Sequence, residues 1–142
     1  MGGKNDGRFS VIHLLDVNAL IGLGFKEHAL HPRMDKWIRS LKGPTLATCA
    51  ITELGFVRIL AQHPEYDFTV DSARERLGLL KAASGDKLIF LGDHLGVDQL
   101  PSWVKHPKQT TDGHLVALAK AHGAVLATLD EKIPGAFVIP SR

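Results

Sequence analysis

The sequence predicts an α/β fold with three layers, in which helices cover both faces of a central parallel sheet of four to five strands. Short, nearly all-apolar runs are typical of strands that are buried on both faces. They alternate with longer segments whose apolar residues recur at helical spacing, which is the pattern of β–α–β units. A chain of 142 residues suits one domain. We therefore expect a single domain over residues 10–142 and a flexible tail over residues 1–9.

Each predicted strand is an apolar run, and helical patterns fill the segments between the runs. Strands are expected at residues 11–15, 45–48, 87–91, 124–128 and 136–139. Helices are expected at residues 18–23, 32–41, 50–60, 70–83 and 112–122. Pro32 suits the first turn of a helix, and Gly123 suits the residue just past a helix C-terminus. His13 interrupts the first run and is expected to be a hydrogen-bonded interior or edge histidine, not a ligand. The segment 92–107, rich in Gly, Pro and His, is expected to be mostly loop.

The composition is that of a soluble globular protein, with 44% hydrophobic and 23% charged residues. No apolar stretch approaches the roughly 20 residues of a membrane-spanning helix, and the first residues lack the apolar core of a secretory signal. The single cysteine, Cys49, excludes an internal disulfide and fits a reducing compartment. We expect a cytoplasmic protein without membrane association. The net charge of +2 permits nucleic-acid binding only if basic residues gather on one face.

Four acidic residues lie where a predicted strand ends or a predicted helix begins. Asp16 ends the first strand, Asp130 follows the fourth, and Glu53 and Asp112 open helices. In a parallel α/β sheet these positions share one edge, where ligands bind. Singly, each acid has a simpler explanation, because Asp16 or Asp112 suits a helix N-cap and Glu53 suits the positive end of a helix dipole. Independent caps, however, have no reason to fall on the same edge.

Four carboxylates in one pocket would repel each other unless a divalent cation lay between them. A set of oxygen ligands without paired histidines or cysteines favours Mg²⁺ or Mn²⁺ over zinc. Such an ion activates water and neutralises charge on a phosphate, so no protein nucleophile is needed. The acids therefore predict a magnesium-dependent site for phosphodiester cleavage.

Four segments carry a resemblance to a known family. They are residues 14–21, 48–58, 110–119 and 127–130, the last being a Thr-x-Asp at a strand end. In order and spacing they resemble the four motifs of PIN-domain proteins over about residues 10–140. At this size the chain is most similar to the VapC toxins of bacterial type II toxin–antitoxin pairs.

The resemblance implies an endoribonuclease toxin that hydrolyses single-stranded regions of RNA with Mg²⁺, for which Mn²⁺ can substitute, and so inhibits translation and growth. Asp16 and Asp112 would be the principal metal ligands, Glu53 would complete the site, and Asp130 would bind metal or position water. Asn18 and Thr128 would orient the carboxylates by hydrogen bonding. The resemblance also implies a homodimer bound by a VapB-like antitoxin in a heterotetramer or larger complex.

Basic residues offer possible RNA contacts. Arg33, Lys36 and Arg39 lie at spacings of three on one predicted helix, and Arg58 follows Glu53 by five positions. For the three residues of this helix two interpretations stay open, a solvated helix surface and a track for the phosphate backbone. Arg58 is expected either to form an ion pair with the acidic cluster or to contact the scissile phosphate. Trp37 and Trp103 can stack on bases, although Trp37 fits a core or dimer position better.

Two residues near the third motif also have two interpretations. His114 either faces the acidic pocket or faces solvent, and the latter is favoured. Asp93, in the loop before this motif, is expected to be simply solvated.

The sequence also bears on three other functional classes: a silent PIN-like module, a phosphatase and a receiver domain. A catalytically silent PIN-like module that binds RNA or protein would keep the fold and lose a ligand, but this chain has lost none. A dehalogenase-like phosphatase would need a second aspartate where Asn18 stands, and the acidic pairs of a receiver domain are absent. These observations favour the nuclease.

Overall fold

A computed structural model describes residues 11–141. The expected tail at residues 1–9 lies outside this range. The strands are β1 (Ile12–Leu15), β2 (Thr45–Cys49), β3 (Leu88–Leu91), β4 (Val125–Thr128) and β5 (Phe137–Val138). The helices are α1 (Val17–Gly24), α2 (His31–Ser40), α3 (Ala50–Gln62), α4 (Val70–Ser84) and α5 (Thr110–Ala121). Within the described range, no helix is both long enough and apolar enough to cross a membrane.

The five strands form one parallel sheet in the order β3-β2-β1-β4-β5. Leu14 of β1 is paired with Ala47 of β2 on one side and with Leu126 of β4 on the other. The chain builds outward from β1 to β3 and then returns to the opposite side of β1 with β4. The strand order therefore reverses between β1 and β4, and the carboxyl ends of these two strands border a natural ligand-binding crevice.

Helices cover both faces of the sheet, which confirms the predicted three-layer α/β fold. Successive residues of a strand point to opposite faces, so the neighbours Leu14 and Leu15 enter different cores. Leu15 packs with buried residues of α1 to α4, among them Leu20, Met34 and Phe56. Leu14 packs with buried residues of α5, namely Leu115, Leu118 and Ala119.

The element boundaries differ from the prediction mainly at α5 and β5. Helix α5 begins at Thr110, so Asp112 lies in its first turn and is not its N-cap. The reason is the short 3₁₀ turn Pro107–Gln109, which leads the chain directly into the helix. Strand β5 has only two residues, because Ile139 already leaves the strand while still bonding to Thr128. Gly123 follows α5 with a positive φ of 69°, as predicted for a residue past a helix end.

Helices α1 and α3 approach each other closely beside the end of β1. A Cβ atom on Gly55 of α3 would stand only 2.6 Å from a methyl carbon of Val17, the residue after Asp16. Glycine is therefore required at this contact. The packing places the first turn of α3 next to the start of α1.

His13 of β1 lies between two aromatic rings, with centroid distances of 5.0 Å to Trp37 and 5.3 Å to Phe137. Its Nδ1 atom is buried and has no hydrogen-bond partner among the described residues, so the expected hydrogen bonding is not met at this nitrogen. Burial lowers the pKa of His13 below its usual 6.5, while the backbone of Val11 opposes this shift. The neutral imidazole is the form that this environment stabilises.

We predict that this site makes the protein less stable in mild acid. Folding lowers the pKa of His13 below its usual value of 6.5. The stabilisation from the neutral imidazole is therefore present above pH 6.5 and is lost as the pH falls through the folded-state pKa. His13→Phe keeps a ring between Trp37 and Phe137 without a titrating nitrogen. Its melting temperature should fall less than that of the wild type between about pH 7.5 and about pH 5.5. A matched control is His63→Gln, which removes an exposed histidine. Equal losses in wild type and His13→Phe would contradict the prediction.

Candidate active site

A cavity of about 360 Å³ opens where β1, β4 and α5 meet, at the point where the strand order reverses. Three of the predicted acids line it: Asp16, Asp112 and Asp130. The wall also includes Asn18 and His28 together with the residues Val17, Ile21, Leu30, Ile59 and Tyr66. The structure thus brings together acids that are up to 114 positions apart in the chain.

Asp16 is the most buried of the three acids, with 8% of the residue exposed. Its Oδ1 caps α1 by accepting a hydrogen bond from the Val17 amide at 2.8 Å, and its Oδ2 accepts one from the Thr128 hydroxyl at 2.8 Å. Burial raises the pKa of Asp16, the two hydrogen bonds oppose that rise, and the charge of Asp130 adds to it. The capping role and a place in the site are therefore compatible in one side chain.

Asp130 is held by the end of β4. Its backbone amide donates to the Thr128 hydroxyl oxygen at 3.0 Å, so Thr128 links Asp130 to Asp16. Its Oδ1 accepts from the Lys132 amide at 2.9 Å. Asn18 accepts a hydrogen bond from the Leu129 amide at 3.3 Å. This bond positions the backbone before Asp130, whereas the sequence analysis expected Asn18 to bond to a carboxylate.

Asp112 approaches the cavity from the first turn of α5. Burial raises its pKa, and the negative charges of Asp16 and Asp130 raise it further. The next residue, Gly113, is pressed against Val104, to which an added Cβ would come within 2.3 Å. The start of α5 is therefore fixed by packing, and Asp112 is held in the field of the other two acids.

The three aspartates fit a hard divalent cation, because the ligands they offer are oxygens and their charges repel each other. Within residues 11–141, however, no three acidic, histidine or cysteine side chains converge closely enough to ligate one ion. Oδ1 of Asp130 is engaged by the Lys132 amide. Asp16 is already fixed through both oxygens.

Glu53 does not line this cavity. Its Oε2 accepts hydrogen bonds from the Thr48 hydroxyl at 2.6 Å and from the Lys81 ammonium at 2.7 Å. With Lys81 and Phe90 it lines a separate cavity of about 610 Å³ between α3, α4 and β3. Glu53 accepts a hydrogen bond from Thr48 near the end of β2, just as Asp16 accepts one from Thr128 at the end of β4. Strands β1 and β2 are neighbours in the sheet. Sequence reasoning missed Lys81, which lies 28 positions beyond Glu53.

Arg33, one of the predicted RNA contacts, binds the end of the chain. Its Nε donates to the carbonyl oxygen of Pro140 at 3.1 Å, and its Nη2 donates to that of Ile139. These bonds fasten α2 to the segment after β5. Arg33 therefore has a structural contact that its sequence position did not indicate.

The other three basic residues are exposed and do not line the aspartate cavity. Arg39 donates to Asp35 at 2.8 Å on the surface of α2, and Lys36 lies beside Arg33 in a small cleft. The Arg58 guanidinium is 3.5 Å from Gln62 on α3. None of the three is among the residues that line the cavity.

His114 does not line the aspartate cavity, and the favoured expectation that it faces solvent was wrong. Its Nε2 forms a short hydrogen bond with Oδ2 of Asp93, and both side chains are largely buried. Burial alone would raise the pKa of Asp93, but the hydrogen bonds from His114 and the Leu95 amide, with the charges of His114 and His94, lower it. The expectation that Asp93 is simply solvated was wrong. The pair ties α5 to the loop after β3.

Two aromatic residues of the cavity, His28 and Tyr66, were missed by the sequence analysis. They lie in the short connections after α1 and after α3, where no motif or periodicity marks them. The tryptophans that were considered there lie elsewhere. Trp37 is buried in the first core, and Trp103 packs against the second.

Comparison with known proteins identifies the family. The PIN domain profile matches residues 13–136. The chain is 37% identical over 122 residues to Ribonuclease VapC38 of Mycobacterium tuberculosis. The aligned region covers 82% of this chain and 84% of the relative. The chain is 36% identical over 127 residues to Ribonuclease VapC44 of the same species, covering 84% of this chain and 87% of the relative.

Solved structures show the same fold. VapC20 of Mycobacterium tuberculosis, described as a toxin that cleaves the sarcin–ricin loop, has a TM-score of 0.62 at 14% identity, over 90% of this chain and 99% of that one. VapBC2 of Rickettsia felis, bound to a promoter DNA fragment, has a TM-score of 0.56 at 12% identity, over 90% and 97%. Because the profile and the similar sequences span most of its length, the chain belongs to the PIN-domain family.

Proposed function

We propose that the protein is a Mg²⁺-dependent endoribonuclease toxin that cuts single-stranded regions of RNA and so inhibits translation and growth. The observation that carries this proposal is the shared cavity of Asp16, Asp112 and Asp130 at the point where the strand order reverses. Burial raises the pKa values of Asp16 and Asp112, and the charge of Asp130 adds to both rises. Relatives named ribonucleases, at 36–37% identity over more than four fifths of the chain, support the same activity.

Each residue of the aspartate cavity would have its own role in RNA cleavage. Asp16, fixed through both oxygens, and Asp112 would be the principal ligands of Mg²⁺ or Mn²⁺, and Asp130 would bind the ion or orient water. When bound, the ion would activate water for attack and neutralise charge that develops on the scissile phosphate. The Thr128 hydroxyl would hold Asp16 and Asp130 in position relative to each other, because it donates to Asp16 and accepts from the Asp130 amide.

Glu53 would join the site only after leaving Lys81. Its backbone is close, because β2 is adjacent to β1 and α3 packs against Val17 beside Asp16. Its carboxylate, however, is neutralised by Lys81 and is not among the charges that raise the pKa of Asp16. We propose that Glu53 is a ligand for which Lys81 competes.

The remaining assignments are also proposals. The fold similarity to VapBC2 of Rickettsia felis supports a VapB-like antitoxin as partner of a homodimer, in a heterotetramer or larger complex. We place the protein in the cytoplasm, where RNA is the substrate. Residues 10–142 would form its single domain.

We predict that Asp16→Asn and Asp112→Asn each reduce RNA cleavage at least about 100-fold, because changes to groups that merely support a metal ligand already cost 10- to 100-fold. The measurement is Mg²⁺-dependent cleavage of total bacterial RNA, followed by sequencing of the new 5′ ends. Asp86→Asn, which removes an exposed acid from the turn before β3, is the control and should cleave normally. Cleavage at the wild-type rate by both site variants would refute the active site.

A second prediction concerns stability without cleavage. Folding raises the pKa of Asp112 above the usual value of 3.8. The protonated carboxyl therefore stabilises the fold below pH 3.8, and this stabilisation is lost as the pH rises through the folded-state pKa. At neutral pH and without divalent cations, Asp112→Asn should therefore raise the melting temperature by a few degrees. Mn²⁺ should raise the melting temperature of the wild type and have little effect on that of the variant. At 100 times its Kd, the ion would add about 2.7 kcal/mol to the free energy of unfolding of the wild type. Equal responses to Mn²⁺ in both proteins would place the ion elsewhere.

A third prediction tests the proposed competition for Glu53. Lys81→Met should tighten Mn²⁺ binding up to about fivefold, because a partly exposed ion pair contributes about 0.2–1 kcal/mol. Isothermal titration calorimetry measures this, with Lys87→Met as the control for loss of one positive charge. The effect should disappear when Glu53 is also changed to Gln. Unchanged or weaker binding by Lys81→Met would show that Lys81 does not compete with the ion.

A further inference from the structure

The residues that line the cavity fall into two chemical classes, which we call its acidic half and its aromatic and aliphatic half. The acidic half is Asp16, Asp112 and Asp130, and the aromatic and aliphatic half is His28, Tyr66, Ile21, Leu30 and Ile59. No lysine or arginine is among the lining residues. The aromatic and aliphatic half therefore offers flat, apolar contact and no charge attraction to a phosphate.

Tyr66 is supported from behind by other aromatic rings. It ends the 3₁₀ turn Pro64–Tyr66, and its ring meets that of Phe25 edge-on at a centroid distance of 5.4 Å. Asp67 follows in a left-handed conformation, with φ of 58°, which turns the chain so that Phe68 also packs edge-on against Phe25, at 5.2 Å. Tyr66 is only half-buried, so part of it remains available to a ligand.

His28 is held in one orientation beside Tyr66. Its Nδ1 accepts a hydrogen bond from the Leu30 amide at 3.1 Å, and the two ring centroids are 5.8 Å apart. Burial lowers the pKa of His28, which keeps the imidazole neutral at neutral pH. Since Nδ1 is the acceptor, the proton is on Nε2, which is a hydrogen-bond donor.

The chemistry of this half selects one part of an RNA substrate. A phosphate there would meet no basic side chain and would be repelled by the aspartates. An unpaired base is neutral and flat, stacks on aromatic rings, and presents acceptor atoms at its edge. The volume of about 360 Å³ lies within the range of ordinary small-molecule pockets.

We propose that Tyr66 and His28 form a binding wall for the unpaired nucleobase next to the scissile phosphate, with Tyr66 as the stacking platform. This inference rests on the proposed ribonuclease function and adds to it the part of the substrate that each half of the cavity holds. Cleavage then requires a base that can leave its own stack and enter the cavity, which favours single-stranded regions over duplex RNA.

The test compares Tyr66→Leu with Tyr66→Phe, both in an Asp112→Asn background and with Mg²⁺ present. Binding of fluorescently labelled single-stranded RNA decamers of each base is measured by anisotropy, together with a decamer of abasic ribose phosphates. Tyr66→Leu should raise the Kd for base-bearing decamers about 5- to 100-fold, as loss of one stacking contact does. Tyr66→Phe, which keeps the ring, should stay within about twofold of its parent. Neither change should alter binding of the abasic decamer.

His28→Leu provides a second variant whose expected effect is weaker binding of the same decamers, and thermal melting of all variants checks that they are folded. An unchanged Kd for folded Tyr66→Leu, equal losses for Leu and Phe, or no preference of the parent for base-bearing over abasic decamers would each overturn the inference. Failure of the ribonuclease proposal would appear differently, as the absence of Mg²⁺-dependent cleavage of total bacterial RNA by the wild-type protein.

Discussion

Repulsion between buried aspartates is the constraint on which the rest of this structure depends. Asp16, Asp112 and Asp130 come from three elements that the sheet topology forces to one crevice, and burial weakens the solvent screening of their charges. Nothing in the fold requires three acids there. A compact domain that places them together gives up stability unless a cation compensates, and such a conflict between stability and local chemistry is characteristic of functional sites.

Glu53 shows how the same fold neutralises an acid that lies outside the aspartate cavity. Thr48 and Lys81 satisfy one oxygen of its carboxylate with two bonds, whereas Asp16 receives only neutral donors, Val17 and Thr128. Lys81 also lies 5.5 Å from the ring centroid of Phe90, which helps to keep its ammonium group over Glu53. The contrast explains why burial and like charges raise the pKa of Asp16 while Glu53 is stabilised as an ion pair.

The fold and the aspartate cavity could be predicted because they follow from local rules. Apolar runs mark the strands, and the carboxyl ends of parallel strands meet at one edge, so the positions of Asp16 and Asp130 beside each other follow from the sequence. The direction of a side chain in the first turn of a helix follows no such rule. Glu53 could turn toward the aspartates or toward α4, and the outcome depended on Lys81, a residue of unremarkable sequence context. His28 and Tyr66 likewise became neighbours only through the packing of Phe25 between two connections.

The two halves of the cavity differ in how firmly they are built, and this difference bears on how a substrate would be recognised. The aromatic half is braced by edge-on ring contacts and by a backbone hydrogen bond to His28, so it is organised before any ligand arrives. The carboxylates of Asp112 and Asp130 do not yet converge with Asp16 on one point. A base held by this wall would place the adjacent phosphate beside the aspartates, which lowers the entropic cost of reaching the reactive geometry. Asp16, Asp112 and Asp130 would hold the ion, which would supply activated water and charge neutralisation at that phosphate.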